Sequence, residues 1–95
     1  MINDNRILEP KHIKIYSKTN CTYCDASVRI AQQMTQETSE WVYTKYMLDE
    51  DFTREELMEK FPNARTFPQI TIDGEYIGGY TEFRDHVHRT HNPTA

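Results

Sequence analysis

Apolar and polar residues alternate over His12-Ile13-Lys14-Ile15-Tyr16-Ser17, with Ile13 and Ile15 on one face, which predicts a strand. From Tyr23 to Gln36 the spacing becomes helical, and Cys24, Ser27, Val28, Ala31 and Met34 share a core-facing stripe. A polar break over 35–40 closes that helix. Trp41-Val42-Tyr43-Thr44-Lys45-Tyr46-Met47-Leu48 is rich in aromatic and β-branched residues and predicts a second strand. A helix between two strands implies a parallel pair with a right-handed crossover.

An acidic turn over 49–51 leads to a second helix. Thr53 is its N-cap, Glu56 its capping-box partner, and Phe52 and Leu57 stand at the staple positions. That helix presents Leu57, Met58 and Phe61 and stops at Pro62. Gln69-Ile70-Thr71-Ile72 is a third strand, Asp73-Gly74 a tight hairpin turn, and Glu75-Tyr76-Ile77 the fourth strand, broken by Gly78-Gly79. A last helix starts near Thr81 and buries Phe83 and Val87. The order is β-α-β-α-β-β-α.

This organisation predicts one domain over 12–90, with a flexible lead-in over 1–11 and a frayed tail over 91–95. With 95 residues, 37% of them hydrophobic, the core is modest. A net charge of −4 and a pI near 5.5 weigh against nucleic-acid or anionic-membrane partners. No apolar run spans a membrane and the polar start is no signal peptide, so the expectation is a soluble, cytoplasmic protein.

The two cysteines, Cys21 and Cys24, sit two residues apart at the first strand-to-helix junction. So close a pair is no structural staple; it reads as a thiol–disulfide redox site. The thiolate is the nucleophile, and the unpaired N–H groups at a helix start stabilise it. Lys18 adds a cation three residues upstream. Cys24 lies on the core stripe, while Cys21 precedes the helix and is expected to be exposed. Cys21 is thus the attacking thiol and Cys24 the resolving one. The pair alone also fits two buried hydrophobes or half of a zinc site. His86, His88 and His91 are poor partners for such a site, because the first two stand i, i+2 on a helix and do not face one another. The expectation is no metal.

Three segments in register resemble the glutaredoxins: Tyr16-Ser17-Lys18-Thr19-Asn20-Cys21-Thr22-Tyr23-Cys24, Thr66-Phe67-Pro68-Gln69-Ile70 and Ile77-Gly78-Gly79-Tyr80-Thr81-Glu82-Phe83. The resemblance covers His12 to Thr90. It implies an α/β, thioredoxin-like fold with a four-stranded mixed sheet flanked by three helices. It also implies a glutathione-dependent oxidoreductase that reduces protein disulfides and glutathione mixed disulfides. Pro68 would be cis, leaving the Phe67 backbone to pair with an extended ligand beside Cys21. Thr81 and Glu82, with Gly78-Gly79 allowing close approach, would hold the γ-glutamyl end. Lys18 and Arg65 would meet the glycyl carboxylate, and Tyr23 and Tyr80 would wall the groove. Thr66, Phe67, Pro68 and Gly79 complete the implied glutathione site.

The implied partners are glutathione and disulfide or glutathionylated proteins, ribonucleotide reductase among them, acting on a monomer. Three residues depart from the family pattern. Thr22 replaces a common proline, and members lacking it include dimers that carry a glutathione-ligated [2Fe–2S] cluster, the alternative function. Phe67 replaces valine and reshapes the groove. Asp25 favours the helix end yet opposes thiolate formation at Cys21.

Overall fold

Ile13 and Ile15, on one face of β1 (Lys11–Ser17), are fully buried in the computed structural model, which describes residues 9–91. The strand starts one residue before the alternation does, at Lys11, whose N–H donates to the Glu40 carbonyl at 2.8 Å. α1 (Thr22–Glu37) follows, then β2 (Trp41–Met47), α2 (Arg54–Lys60), β3 (Gln69–Ile72), β4 (Glu75–Gly78) and α3 (Tyr80–His91). The sheet order is β2-β1-β3-β4, with β1 parallel to β2 and antiparallel to β3, and β3 antiparallel to β4. The element order is the one the sequence predicts, and the mixed four-stranded sheet with three helices is the one the resemblance implies. Residues 1–8 of the predicted lead-in and 92–95 of the predicted tail lie outside the described residues.

The period-two alternation of β1 builds two cores, one on each side of the sheet. Ile13, Ile15, Ile70 and Ile72 meet Ala31 and Met34 of α1 and Phe83 and Val87 of α3 on one side. Phe83 and the three isoleucines at 13, 15 and 70 are fully enclosed, each contributing about 1.5–3 kcal/mol from burial. On the other side Tyr16, Phe52 and Leu57 pack with Phe61 and Phe67 under α2. Tyr16 stacks on Tyr46 at 5.1 Å and meets Phe52 and Phe61 edge-on at 5.3 and 5.6 Å.

With seven residues, α2 is too short to persist alone. It is held by its cap and by Leu57. Glu56 N–H donates to Thr53 Oγ1 at 3.1 Å and Thr53 N–H to Glu56 Oε1 at 2.8 Å, the capping box that the sequence predicts. Thr53→Ala is expected to remove about 1 kcal/mol, lowering Tm by roughly 4–8 °C for a domain of this size. A melting curve superimposable on wild type would show that the box contributes nothing. One residue of this helix departs from expectation: Met58 is exposed, because α2 turns only the Leu57 side to the sheet.

The predicted hairpin turn has Asp73 at φ 53° and Gly74 at φ 84°, the backbone that a two-residue primed turn requires. β4 runs through Gly78 instead of ending at Ile77, and α3 begins at Tyr80, one residue before Thr81. Among the described residues no helix is long and apolar enough to cross a membrane.

Candidate active site

β1 delivers the chain to the cysteine loop, and Asn20, at φ 55°, turns it into α1. Asparagine tolerates this left-handed conformation better than most residues. Cys21 is the N-cap of α1: its carbonyl accepts the Asp25 N–H at 3.1 Å and its Sγ accepts the Cys24 N–H at 3.1 Å. The sulfur thus takes the place of the usual cap oxygen, against the positive end of the helix. Cys21 and Cys24 are joined as a disulfide, with Cα atoms 5.2 Å apart.

Cys24 is 2% exposed and packs beside fully buried Ser27, whose hydroxyl donates to the Tyr23 carbonyl at 2.8 Å. Cys21 departs from the expected exposure, at only 9%. The segment before β3 covers it: the Phe67 carbonyl oxygen lies 3.9 Å from Cys21 Sγ. The Phe67–Pro68 peptide is cis, as the resemblance implies, and Pro68 is buried. Among the described residues no backbone group pairs with the N–H or carbonyl of Phe67. An extended ligand has both groups at its disposal there. Phe52 stacks against the Phe67 ring at 6.5 Å and the Arg54 guanidinium lies 5.8 Å above it, holding the side chain in the aromatic cluster under α2.

From Pro68 a groove of about 250 Å³ runs between Tyr23 and the start of α3 at Tyr80 and Thr81. A second, of about 400 Å³, continues past Arg65 to Tyr76 and Ile77. The two share Thr66, Gly79 and Glu82 and so form one trough. Tyr23 and Tyr80 stack at 5.3 Å and 26° to make its wall. The predicted glutathione-binding residues thus converge, except that Lys18 is exposed just past β1 and lines neither part. The two cysteines line neither part either, and Cys21 meets the trough through its approach to the Phe67 carbonyl oxygen.

Glu82 is placed differently from a side chain aimed wholly at a ligand. Its Oε1 accepts the Gly79 N–H at 2.9 Å, capping α3 from its first turn, while the residue stays exposed. Gly78, at φ +127°, brings the backbone under this side chain, and a Cβ there would stand 2.9 Å from Glu82 Cγ. A Cβ on Gly79 would lie 3.4 Å from the Pro68 carbonyl oxygen, so the two loops approach closely.

Three residues outside the predicted set shape the trough. Gln69 Nε2 donates to the Thr66 carbonyl at 2.6 Å, and Tyr76 donates its hydroxyl to Gln69 Oε1 at 2.5 Å. Burial, and then the nearby Glu82 carboxylate, push the Tyr76 phenol above its ordinary pKa, so it remains the donor. The Arg84 guanidinium lies 5.6 Å over the Tyr80 ring. Gln69 belongs to the second motif, and Arg84 stands four residues after Tyr80, a spacing that puts both on one helix face.

Among the described residues no three His, Cys, Asp or Glu side chains come together to hold a metal. The glutaredoxin family model matches residues 13–77. The chain is 32% identical over 71 residues to glutaredoxin 1 of Escherichia coli, covering 73% of this chain and 84% of that one. Its fold superposes on reduced E. coli glutaredoxin with a TM-score of 0.77 and 29% identity, covering 85% of this chain and 98% of the other. A buckwheat glutaredoxin–glutathione complex shares the fold with a TM-score of 0.65 at 22% identity, over 94% of this chain and 78% of that one. These likenesses do not favour the [2Fe–2S] carrier. The paired cysteines at a helix start, the cis proline facing them and the match along most of the sheet make this thiol–disulfide oxidoreductase a member of the glutaredoxin family.

Proposed function

We propose that glutathione is the electron donor and that Cys21 carries the exchange. The observation behind this reading is a continuous trough, sized for a peptide, that leads from Thr81 and Glu82 past the free Phe67 backbone toward Cys21. The Cys21 thiolate attacks the glutathione sulfur of a mixed disulfide, forming a Cys21–glutathione bond and expelling the target as its thiolate. A second glutathione thiolate attacks that glutathione sulfur, giving oxidised glutathione and restoring Cys21. With a protein disulfide, Cys21 bonds to one target sulfur, and Cys24 then attacks Cys21 Sγ, releasing the reduced target and closing the Cys21–Cys24 bridge. Two glutathiones reopen it.

Within the trough, the Phe67 N–H and carbonyl pair with the ligand backbone, and the Tyr23–Tyr80 stack flanks its cysteinyl part. The N–H groups at Thr81 and Glu82 receive the γ-glutamyl carboxylate, and Arg65 stands at the glycyl end. Lys18 acts as a more distant cation. Both cysteines and the whole trough come from one chain, which supports action as a monomer. The sparse, reactive cysteine pair suits a cytoplasmic, reducing setting, and the family resemblance supports ribonucleotide reductase as one protein target.

The test is the initial rate of reduction of a glutathionylated peptide, coupled to NADPH through glutathione reductase. The rate is expected to saturate with glutathione; equal turnover with glutathione withheld and another thiol supplied overturns the reading. Glu82→Gln separates the two roles of that side chain. The amide still accepts from Gly79, so Tm holds, while loss of the charge facing the ligand amino group raises KM for glutathione about two- to fivefold, the range of an exposed ion pair. An unchanged KM assigns Glu82 to capping alone.

A further inference from the structure

α2 covers only part of its side of the sheet. Beyond it, Lys14, Tyr16, Thr71, Lys60, Phe61 and Gly74 enclose a cavity of about 190 Å³. It shares no lining residue with the trough. Register explains its composition: Lys14 on β1 pairs directly with Thr71 on β3 and so points to the same face, two residues from Tyr16. Lys60 reaches in from the last turn of α2, and Gly74 comes from the β3–β4 turn.

The wall is unusual in three respects. Thr71 is 5% exposed, yet its Oγ1 has no hydrogen-bond partner. Native proteins seldom leave a buried hydroxyl so. Lys14 is half-buried, and among the described residues neither it nor Lys60 is in an ion pair. No carboxylate lines the cavity. In a chain of net charge −4, two unpaired ammonium groups around an orphan hydroxyl are no part of a diffuse basic surface. Tyr16 adds a phenol that burial, and then Tyr46, keep protonated and able to donate.

We propose that this cavity binds one phosphate-sized oxyanion, free or carried on a larger molecule, between the Lys14 and Lys60 ammonium groups, with the Thr71 hydroxyl turned about χ1 to donate to it. Such an occupant supplies the counter-charge that the lysines lack and the acceptor that Thr71 lacks, in a space large enough for a single phosphate group.

The test is titration of the whole protein with inorganic phosphate at fixed ionic strength, balanced with chloride and followed by backbone amide shifts. One saturable event is expected, with shifts at Lys14, Lys60, Thr71 and Gly74 and none at Tyr23 or Tyr80. Lys14→Gln and Lys60→Gln each weaken binding about tenfold, the loss of one charge-assisted contact. Thr71→Val removes the orphan hydroxyl, keeps Tm at or above wild type and still weakens binding. Lys45→Gln, on an exposed position of β2, leaves it unchanged. Non-saturating shifts, or undiminished affinity in the Lys14→Gln, Lys60→Gln double variant, overturn the site. Parallel titrations with glycerol phosphate and a phosphoserine peptide distinguish a small metabolite from a modified protein by which gains affinity over phosphate.

Discussion

Cys21→Ser is expected to reduce turnover of a glutathionylated peptide to the uncatalysed background, while Cys24→Ser keeps that turnover and loses reduction of a protein disulfide. The asymmetry follows from the start of α1. Cys21 Sγ accepts the Cys24 N–H at 3.1 Å and sits at the helix N-cap, so the bond and the dipole favour its thiolate once the bridge opens. Cys24 lies one turn into the helix and is 2% exposed, whereas Cys21 Sγ stands 3.9 Å from the carbonyl oxygen of Phe67, a residue that lines the trough. A serine at position 21 retains the cap, since its oxygen accepts the same N–H, so the variant folds and its inactivity reports chemistry. In Cys24→Ser the backbone donor to Cys21 persists, and glutathione itself resolves the mixed disulfide. Steady-state rates on both substrates, with Tm for each variant, decide the matter. Turnover surviving in Cys21→Ser, or vanishing in Cys24→Ser on the glutathionylated peptide, sinks the division of roles.

The elements that were legible in the sequence are those governed by near neighbours. Ile13 and Ile15 mark β1 by alternation alone, Thr53 and Glu56 cap α2 across three residues, and Asp73-Gly74 sets its own turn. The trough was legible through resemblance, because its walls come from three separate segments that only the folded sheet unites. What escaped reading depends on remote contacts. Cys21 is enclosed because Phe67, 46 residues along the chain, brings its carbonyl over the sulfur. Met58 has the composition of a core residue, but a seven-residue helix has only one side to offer the sheet. The cavity at Lys14 exists only once β1 and β3 pair, which sets Thr71 opposite an otherwise ordinary lysine.

The largest expected stability effect at the site comes from Gly78→Ala, which acts on the backbone that joins β4 to α3. At φ +127° a side chain is strained whatever the space, and here the space is taken: the new Cβ meets Glu82 Cγ at 2.9 Å and Cβ at 3.0 Å. The strain costs about 1–3 kcal/mol, a fall in Tm of roughly 4–24 °C for a domain of this size. Gly74→Ala is the control for strain without a clash, since φ is +84° but nothing lies within 4 Å of its Cβ. It is expected to lower Tm less and to leave glutathione kinetics alone. Gly78→Ala must instead push Glu82 aside, breaking its 2.9 Å bond to the Gly79 N–H and shifting the start of α3, on which the γ-glutamyl end of the ligand depends. KM for glutathione therefore rises along with the fall in Tm. Equal melting shifts in the two variants would remove the clash from the account, and a normal KM in Gly78→Ala would detach Gly78 from the binding trough.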